Sequence, residues 1–336
     1  MKAKIIGTGS YLPERVLTNF DLEKLVDTTN EWIISRTGMQ ERRIAKDDEY
    51  TSDMGLEAAK RAIEDAKLDA KDIDFILVST LTPDYIFPST ACLIQEKLGT
   101  KNTPGMDIQA ACSGYIYALN LAKSFVEAKI YKNVLVIASD KVSSIVDYQD
   151  RSTCVLFGDG ASACIVSGEA DREGLVIEGV SLGGDGCHAN LLQLPGGGSR
   201  NPATVTTIEN KLHFLKMSGG EVFKHAVRCM AQASKECLAK VNLTEADINW
   251  LIPHQANLRI IDAIAKRFKH LPTDRIYKEV VQKFGNTSAS SVGIALDRLL
   301  KEKKIKHQEK ILLTAFGAGL TWGSAVLSCL GEKRYG

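Results

Sequence analysis

The sequence has no CxxC pair, no strong excess of charge, no apolar run long enough to span a membrane and no long linker. Each absence removes a class of protein. Eight cysteines stand at 92, 112, 154, 164, 187, 229, 237 and 329, scattered and mostly among apolar neighbours. That pattern argues against a zinc cage or a disulfide framework and for a reducing, cytoplasmic compartment. A formal net charge of +1 offers no electrostatic footprint for nucleic acid. The opening MKAKIIGTGSYLP breaks its apolar stretch at Gly7, too early for a signal peptide or a membrane span. It reads as a first strand, and no membrane insertion is expected.

What is present is a globular composition, 44% hydrophobic and 25% charged over 336 residues. That length suits two domains or a pseudo-symmetric pair of halves. The chain also repeats itself. LDAKDIDFIL from Leu68 matches LTEADINWLI from Leu243 at an offset of 175, and Ala118 and Leu119 match Ala295 and Leu296 at an offset of 177. A helical pattern precedes each copy (Met54 to Lys67; Glu221 to Val241), and an apolar strand follows it. Any two helix-turn-strand units look alike, but a nearly constant offset over this span favours duplication. Helices alternating with buried strands imply a layered α/β fold. The boundary is expected near Glu169 to Gly174, giving halves 1–171 and 172–336. Gly183 to Thr204, with LPGGGSRNP inside it, reads as a functional surface loop.

Cys112 lies in DIQAACSGY, after a short strand and just before an amphipathic helix over Tyr115 to Lys129. A thiol near a helix start is expected to favour thiolate and so to attack a thioester. A small buried apolar residue is the alternative, and it fits the other seven cysteines better. His254, in LIPHQAN, sits at the end of a strand, where sites gather in α/β folds. Asn286, in FGNTSASSVG, precedes a helix that it could simply cap. The repeat shifts the balance. Asn286 is the counterpart of Cys112 at an offset of 174, and His254 is the counterpart of Ser79 at 175, so the polar groups occupy related turns of the two halves. The glycine-rich AFGAGLTWG, Ala315 to Gly323, lacks both the GxGxxG order and a following Lys-Ser or Lys-Thr. It is read as letting backbone N–H groups approach a reacting oxygen.

The ordered set ACSG, RSTCVLFGDGA, PHQAN, GNTSA and FGAGLTWG resembles the β-ketoacyl-acyl-carrier-protein synthase III family, initiating condensing enzymes of type II fatty-acid synthesis. The resemblance runs from GTGSYLPE to TWGSAVL. It implies a thiolase-like five-layered α/β/α/β/α fold in a homodimer. It also implies a decarboxylative condensation of acetyl-coenzyme A with malonyl-acyl-carrier protein. In that reading Cys112 is the acyl-accepting nucleophile, and His254 with Asn286 steers decarboxylation. The oxyanion hole takes the N–H of Cys112 and that of Ala318. Thr28, Trp32, Arg36 and Arg151 contact coenzyme A, and Asn257 lies near its pantetheine arm. Phe87, in YIFPSTA, closes the acyl pocket across the dimer interface, with a core phenylalanine as the alternative. Lys224, Arg259, Lys266 and Arg267 form the carrier-protein surface, against the alternative of a solvated helix face that includes Asp262. Acetyl-coenzyme A is a substrate, and no permanently bound cofactor or metal is expected.

The alternatives within the fold are weighed on single residues. A hydroxymethylglutaryl-coenzyme A synthase-like protein needs an acidic glutamate where Thr80 to Asp84 offers only Asp84. A plain thiolase carries a second cysteine in the C-terminal glycine-rich loop, and Ala315 to Gly319 has none. A non-catalytic scaffold would have lost one of Cys112, His254 or Asn286. A thiolase-fold acyltransferase of secondary metabolism is the remaining alternative.

Overall fold

The computed structural model describes residues 2–330. Among them, nine strands form the main sheet: β1 (Lys4–Tyr11), β2 (Phe75–Ser79), β3 (Gly105–Ile108), β4 (Asn133–Asp140), β5 (Gly160–Ser167), β6 (Gly174–Gly184), β7 (Trp250–Pro253), β8 (Lys310–Gly317) and β9 (Thr321–Leu330). Their spatial order is β7-β8-β9-β6-β1-β5-β4-β2-β3. The strands of residues 4–167 therefore lie on one side and those of residues 174–330 on the other. Both sides follow one plan. From β2 inward, the pairings to β4, β5 and β1 are parallel, antiparallel and antiparallel. From β7 inward, those to β8, β9 and β6 follow the same series. β3 lies parallel outside β2, and a parallel bridge between Leu251 and Ile276 marks the equivalent place outside β7. Within the sheet the two sides pair at Lys4↔Val176 and Ile5↔Leu175.

Alternation along the strands sets the layers, because successive side chains point to opposite faces. The principal helices are α1 (Thr51–Asp65), α2 (Gly114–Glu127), α3 (Gly219–Lys240), α4 (Leu258–Ala265) and α5 (Ser290–Lys301). Ile76, Val78, Leu135 and Ile137 pack with Met54, Ala58 and Ala62 of α1. The opposite face, with Leu77, Val134 and Val136, packs with Ile116 and Leu119 of α2 and Val292 and Leu296 of α5. Ile252, Ile311 and Leu313 of the other side enter that same central core. Leu251, Leu312 and Val326 turn away, onto Ala226, Met230 and Leu238 of α3. The layering is thus α1, strands, α2 with α5, strands, α3, the five-layered arrangement that the resemblance implied. Strands covered on both faces need near-continuous apolar sequence, as VLVIAS and ILLTAF show.

Two polar features position α5 and α1. Asp297 of α5 is fully buried and accepts from Thr8 Oγ1 at 2.9 Å, Ser10 Oγ at 2.6 Å and Lys301 Nζ at 2.8 Å. A carboxylate that deep is tolerated only with such partners, so it fixes α5 against β1. α1 starts three residues before the expected Met54, because Asp53 takes the Tyr50 N–H and Asp84 takes both the N–H and the hydroxyl of Ser52. Asp84 is therefore committed to the helix start. The irregular stretch after Gly183 is shorter than expected: β6 runs to Gly184, and a helical turn covers Gly186–Leu191. No helix among the described residues is long and apolar enough to cross a membrane.

Candidate active site

Cys112 stands in a 3₁₀ turn, Ala111–Ser113, between β3 and α2. The chain reaches that turn through Ala111 at φ 44°, a left-handed conformation that a non-glycine residue adopts only when its surroundings hold it there. Ser113 supplies part of the hold. Its hydroxyl bonds Ala110 O at 2.8 Å and Thr321 Oγ1 at 2.8 Å. Thr321 in turn reaches Ala110 O at 3.0 Å and Ala318 O at 2.9 Å, so the glycine-rich loop is tied to the turn that carries Cys112. Gly317 packs so closely that a Cβ there would lie 2.7 Å from the Cys112 nitrogen. Only glycine fits that approach. Ala318, half-buried, is the next residue.

The Cys112 side chain is buried, with Sγ 3.6 Å from Ser288 Oγ. Burial pushes its thiol up to about 12; the Ser288 hydroxyl offsets part of this and the Asp140 carboxylate adds to it. Against the expectation that a helix start favours thiolate, desolvation disfavours the charged form and is the largest influence on this thiol. Asp140 is itself fully buried and is pushed up to about 6 by that burial. It accepts from Leu81 N at 2.8 Å, Thr80 Oγ1 at 3.1 Å and Ala289 N at 3.2 Å, which pins the start of α5 to the loop after β2.

His254 follows β7 and is held by its backbone N–H on Thr314 O at 2.8 Å. Its ring is buried, and Nδ1 lies 2.7 Å from Ser291 Oγ. Burial pulls the imidazole down to about 3, so it is neutral at ordinary pH. Asn286 is not a simple helix cap. Its backbone is clamped by the RSTCVLFGDGA segment, donating to Leu156 O at 2.8 Å and accepting from Gly158 N at 3.1 Å. Its side-chain Oδ1 accepts from Ser288 N at 2.9 Å, which leaves the amide Nδ2 to donate elsewhere. One stretch, Asn286–Ser291, therefore carries Asn286, touches Cys112 through Ser288 and holds His254 through Ser291.

The residues expected at coenzyme A also come together from three parts of the chain. Thr28 precedes, and Trp32 and Arg36 lie on, the helix Asn30–Thr37. Arg151 stacks over the Trp32 ring at 5.0 Å and donates to Asp27 O at 2.8 Å. Asn257 caps α4 through Arg259 N at 2.8 Å and donates to Arg36 O at 3.2 Å, so its amide braces this cluster beside His254. Thr28 Oγ1 is buried with no protein partner recorded. Phe87 is 84% exposed beside Ile86 and Tyr85, which excludes a core phenylalanine. Lys224, Arg259, Lys266 and Arg267 are all exposed, although Lys224 pairs with Glu221 at 2.8 Å. Arg259 of α4 lies over Phe223 of α3 at 5.7 Å, so the basic residues of the two helices adjoin.

Sequence reasoning missed Ser288, Ser291 and Asp140. The run TSASS after Asn286 was the available signal, yet small hydroxyl residues before a helix ordinarily indicate capping. Asp140 gave no signal, being the last residue of a buried strand.

This layering, with a thiol from the turn before α2 and an imidazole from the end of β7 both meeting the stretch that leads into α5, defines a thiolase-fold condensing acyltransferase. Comparison with known proteins narrows the class. The model described as 3-Oxoacyl-[acyl-carrier-protein (ACP)] synthase III matches residues 106–193, and its C-terminal counterpart matches 238–329. Beta-ketoacyl-[acyl-carrier-protein] synthase III of Chlamydia muridarum is 56% identical, covering 97% of this chain and 99% of the relative. That of Caldanaerobacter subterraneus subsp. tengcongensis is 53% identical over 97% of each chain. The crystal structure of 3-oxoacyl-[acyl-carrier-protein] synthase III from Aquifex aeolicus VF5 has a TM-score of 0.89 and 46% identity, covering 97% of this chain and 99% of that one. The chain belongs to the β-ketoacyl-acyl-carrier-protein synthase III family, the initiating condensing enzymes of fatty-acid synthesis. The reading as an acyltransferase of secondary metabolism is not favoured.

Proposed function

We propose that Cys112 takes an acetyl group from acetyl-coenzyme A and that this acetyl-enzyme condenses with malonyl-acyl-carrier protein. The products are acetoacetyl-acyl-carrier protein, coenzyme A and CO2. In the first half-reaction the Cys112 thiol gives up its proton as its sulfur adds to the thioester carbonyl, and the departing coenzyme A thiolate takes up that proton. In the second, the malonyl carboxylate departs as CO2 and its bonding electrons pass into an enolate, whose oxygen accepts hydrogen bonds from His254 and Asn286. The enolate carbon then attacks the acetyl group, and collapse of the tetrahedral intermediate expels the Cys112 thiolate, which takes a proton from solvent to restore the thiol. The N–H groups of Cys112 and Ala318 hold the oxyanion at each addition. Halves 1–171 and 172–336 thus supply the nucleophile and the enolate donors respectively.

The observation that carries this reading is that the Asn286–Ser291 stretch contacts both Cys112 and His254. The test is sequential intact-protein mass spectrometry. Acetyl-coenzyme A should add one acetyl group, and malonyl-acyl-carrier protein should then remove it with release of CO2. Retention of the label after malonyl-acyl-carrier protein would overturn the sequence of steps.

Thr28, Trp32, Arg36, Arg151 and Asn257 form the coenzyme A surface in this reading. Arg36 and Arg151 meet phosphate charge, and Trp32 meets the adenine. The exposed apolar loop Tyr85–Phe87 supports a homodimer in which Phe87 closes the acyl pocket of the other copy. Phe87→Ala should then raise kcat/KM for a four-carbon primer relative to acetyl by about tenfold, the scale of one or two methylenes admitted to an apolar pocket. Unchanged primer ranking in a folded variant would remove Phe87 from the pocket. The scattered cysteines, with no CxxC pair among them, support a reducing cytoplasmic setting.

The exposed Lys224, Arg259, Lys266 and Arg267 support docking of an acidic carrier protein. Arg259→Glu should raise KM for malonyl-acyl-carrier protein roughly fivefold, as reversal of one rim charge does, and the effect should fade with salt. Acetylation of Cys112 from acetyl-coenzyme A should be unaffected. Equal impairment of both steps, or a KM insensitive to ionic strength, would locate docking elsewhere.

A further inference from the structure

A neutral imidazole has one ring hydrogen and donates only from the nitrogen that carries it. For His254 the choice between Nδ1 and Nε2 decides whether the ring can serve a reacting oxygen at all. Ser291 occupies Nδ1. Its Oγ lies 2.7 Å away, in a residue that is fully buried in the first turn of α5. The same oxygen also receives the backbone N–H of Gln255 at 3.3 Å. That N–H can only donate, so it takes one lone pair of Ser291. The hydroxyl hydrogen then needs an acceptor, and among the described residues His254 Nδ1, 2.7 Å away, meets that need. The neighbouring hydroxyl, Ser290 Oγ, goes instead to Thr287 O at 2.8 Å. If Nδ1 carried the ring hydrogen, two donors would face each other and a buried hydroxyl hydrogen would have no acceptor, an arrangement that buried polar groups avoid.

We propose that Ser291 is a positioning residue that donates to His254 Nδ1 and so keeps the ring hydrogen on Nε2, the nitrogen left to meet the reacting thioester oxygen. This rests on the reading of His254 as an enolate donor. It adds a residue that touches no substrate and acts only through the imidazole. It also gives the TSASS run a division of work: Ser288 faces Cys112, and Ser291 sets the tautomer of His254.

The test begins with the unmodified enzyme. Nitrogen-15 spectra of histidine-labelled protein, with the His254 signals assigned by their loss in His254→Ala, should show a protonated Nε2 and an unprotonated Nδ1. In Ser291→Ala the two forms should mix. Decarboxylation of malonyl-acyl-carrier protein by that variant should fall roughly tenfold while acetylation of Cys112 stays within about twofold. Ser291→Thr, which restores the hydroxyl, should recover the wild-type spectrum and most of the rate. A hydrogen on Nδ1 in the unmodified enzyme overturns the proposal, and this result needs no variant to fold. An unchanged decarboxylation rate in Ser291→Ala, or equal loss in both half-reactions, also overturns it. If His254→Ala itself leaves decarboxylation intact, the enolate-donor reading falls, while the spectrum still decides the tautomer.

Discussion

Cys112→Ala is expected to form no acyl-enzyme with acetyl-coenzyme A and to lower condensation by 10⁴-fold or more, on the order of the loss when a covalent nucleophile is removed. None of the other cysteines is placed to substitute. Cys164, Cys237 and Cys329 are fully buried in the apolar cores. Cys92 and Cys187 are exposed, outside the turn before α2 that carries Cys112. Cys112→Ser should fare little better, since a hydroxyl is still harder to ionise in the pocket that pushes the native thiol up to about 12. Both substitutions are close to isosteric in a well-packed turn, so thermal unfolding should stay near the wild-type midpoint. The measurement is intact-protein mass after incubation, followed by peptide mapping of the wild-type adduct. An acetyl group mapped to Cys92, Cys154 or any other thiol would remove Cys112 from its role.

Much of the architecture was legible because duplication leaves a trace in one dimension. The match of Leu68 to Leu243 and of Ala118 to Ala295 foretold two sides with one pairing plan, which β2-β4-β5-β1 and β7-β8-β9-β6 display. Cys112, His254 and Asn286 were legible for a related reason: each follows or precedes a strand or helix end that the repeat makes equivalent. What escaped depends on contacts between residues far apart in sequence. Ser291 meets His254 from 37 positions away and Asp140 meets Ala289 from 149. No local pattern distinguishes either from an ordinary cap or strand end. The state of the Cys112 thiol escaped for an energetic reason. Sequence placed it at a helix start, which lowers a pKa, but not in a desolvated pocket, which raises it further. Phe87 was ambiguous between core and surface until its 84% exposure settled it.

His254→Ala and Asn286→Ala should each lower malonyl decarboxylation roughly 10²–10³-fold, the range for removing one preorganised donor from a developing oxyanion. Acetylation of Cys112 should change by only a few-fold at most on the same scale, because the enolate oxygen exists solely in the malonyl half-reaction. The protonation state of His254 sharpens the expectation. Its imidazole is held down to about 3 by burial, so the neutral form prevails above that value and no charge change falls between pH 5 and 8. Decarboxylation by the acetylated wild-type enzyme should therefore show no limb assignable to His254 across that window. His254→Gln keeps a neutral donor and should retain more activity than His254→Ala, whereas a group that acted as a base would lose as much in either variant. The assay is CO2 release from malonyl-acyl-carrier protein by enzyme already acetylated on Cys112, run beside the rate of acetylation itself. Equal losses in both half-reactions would assign the pair to maintaining the turn around Cys112. A wild-type limb with a midpoint near 6 belongs first to Asp140, whose carboxyl burial pushes up to about 6; a limb that persisted in Asp140→Asn and vanished in His254→Gln would contradict the burial that holds His254 neutral.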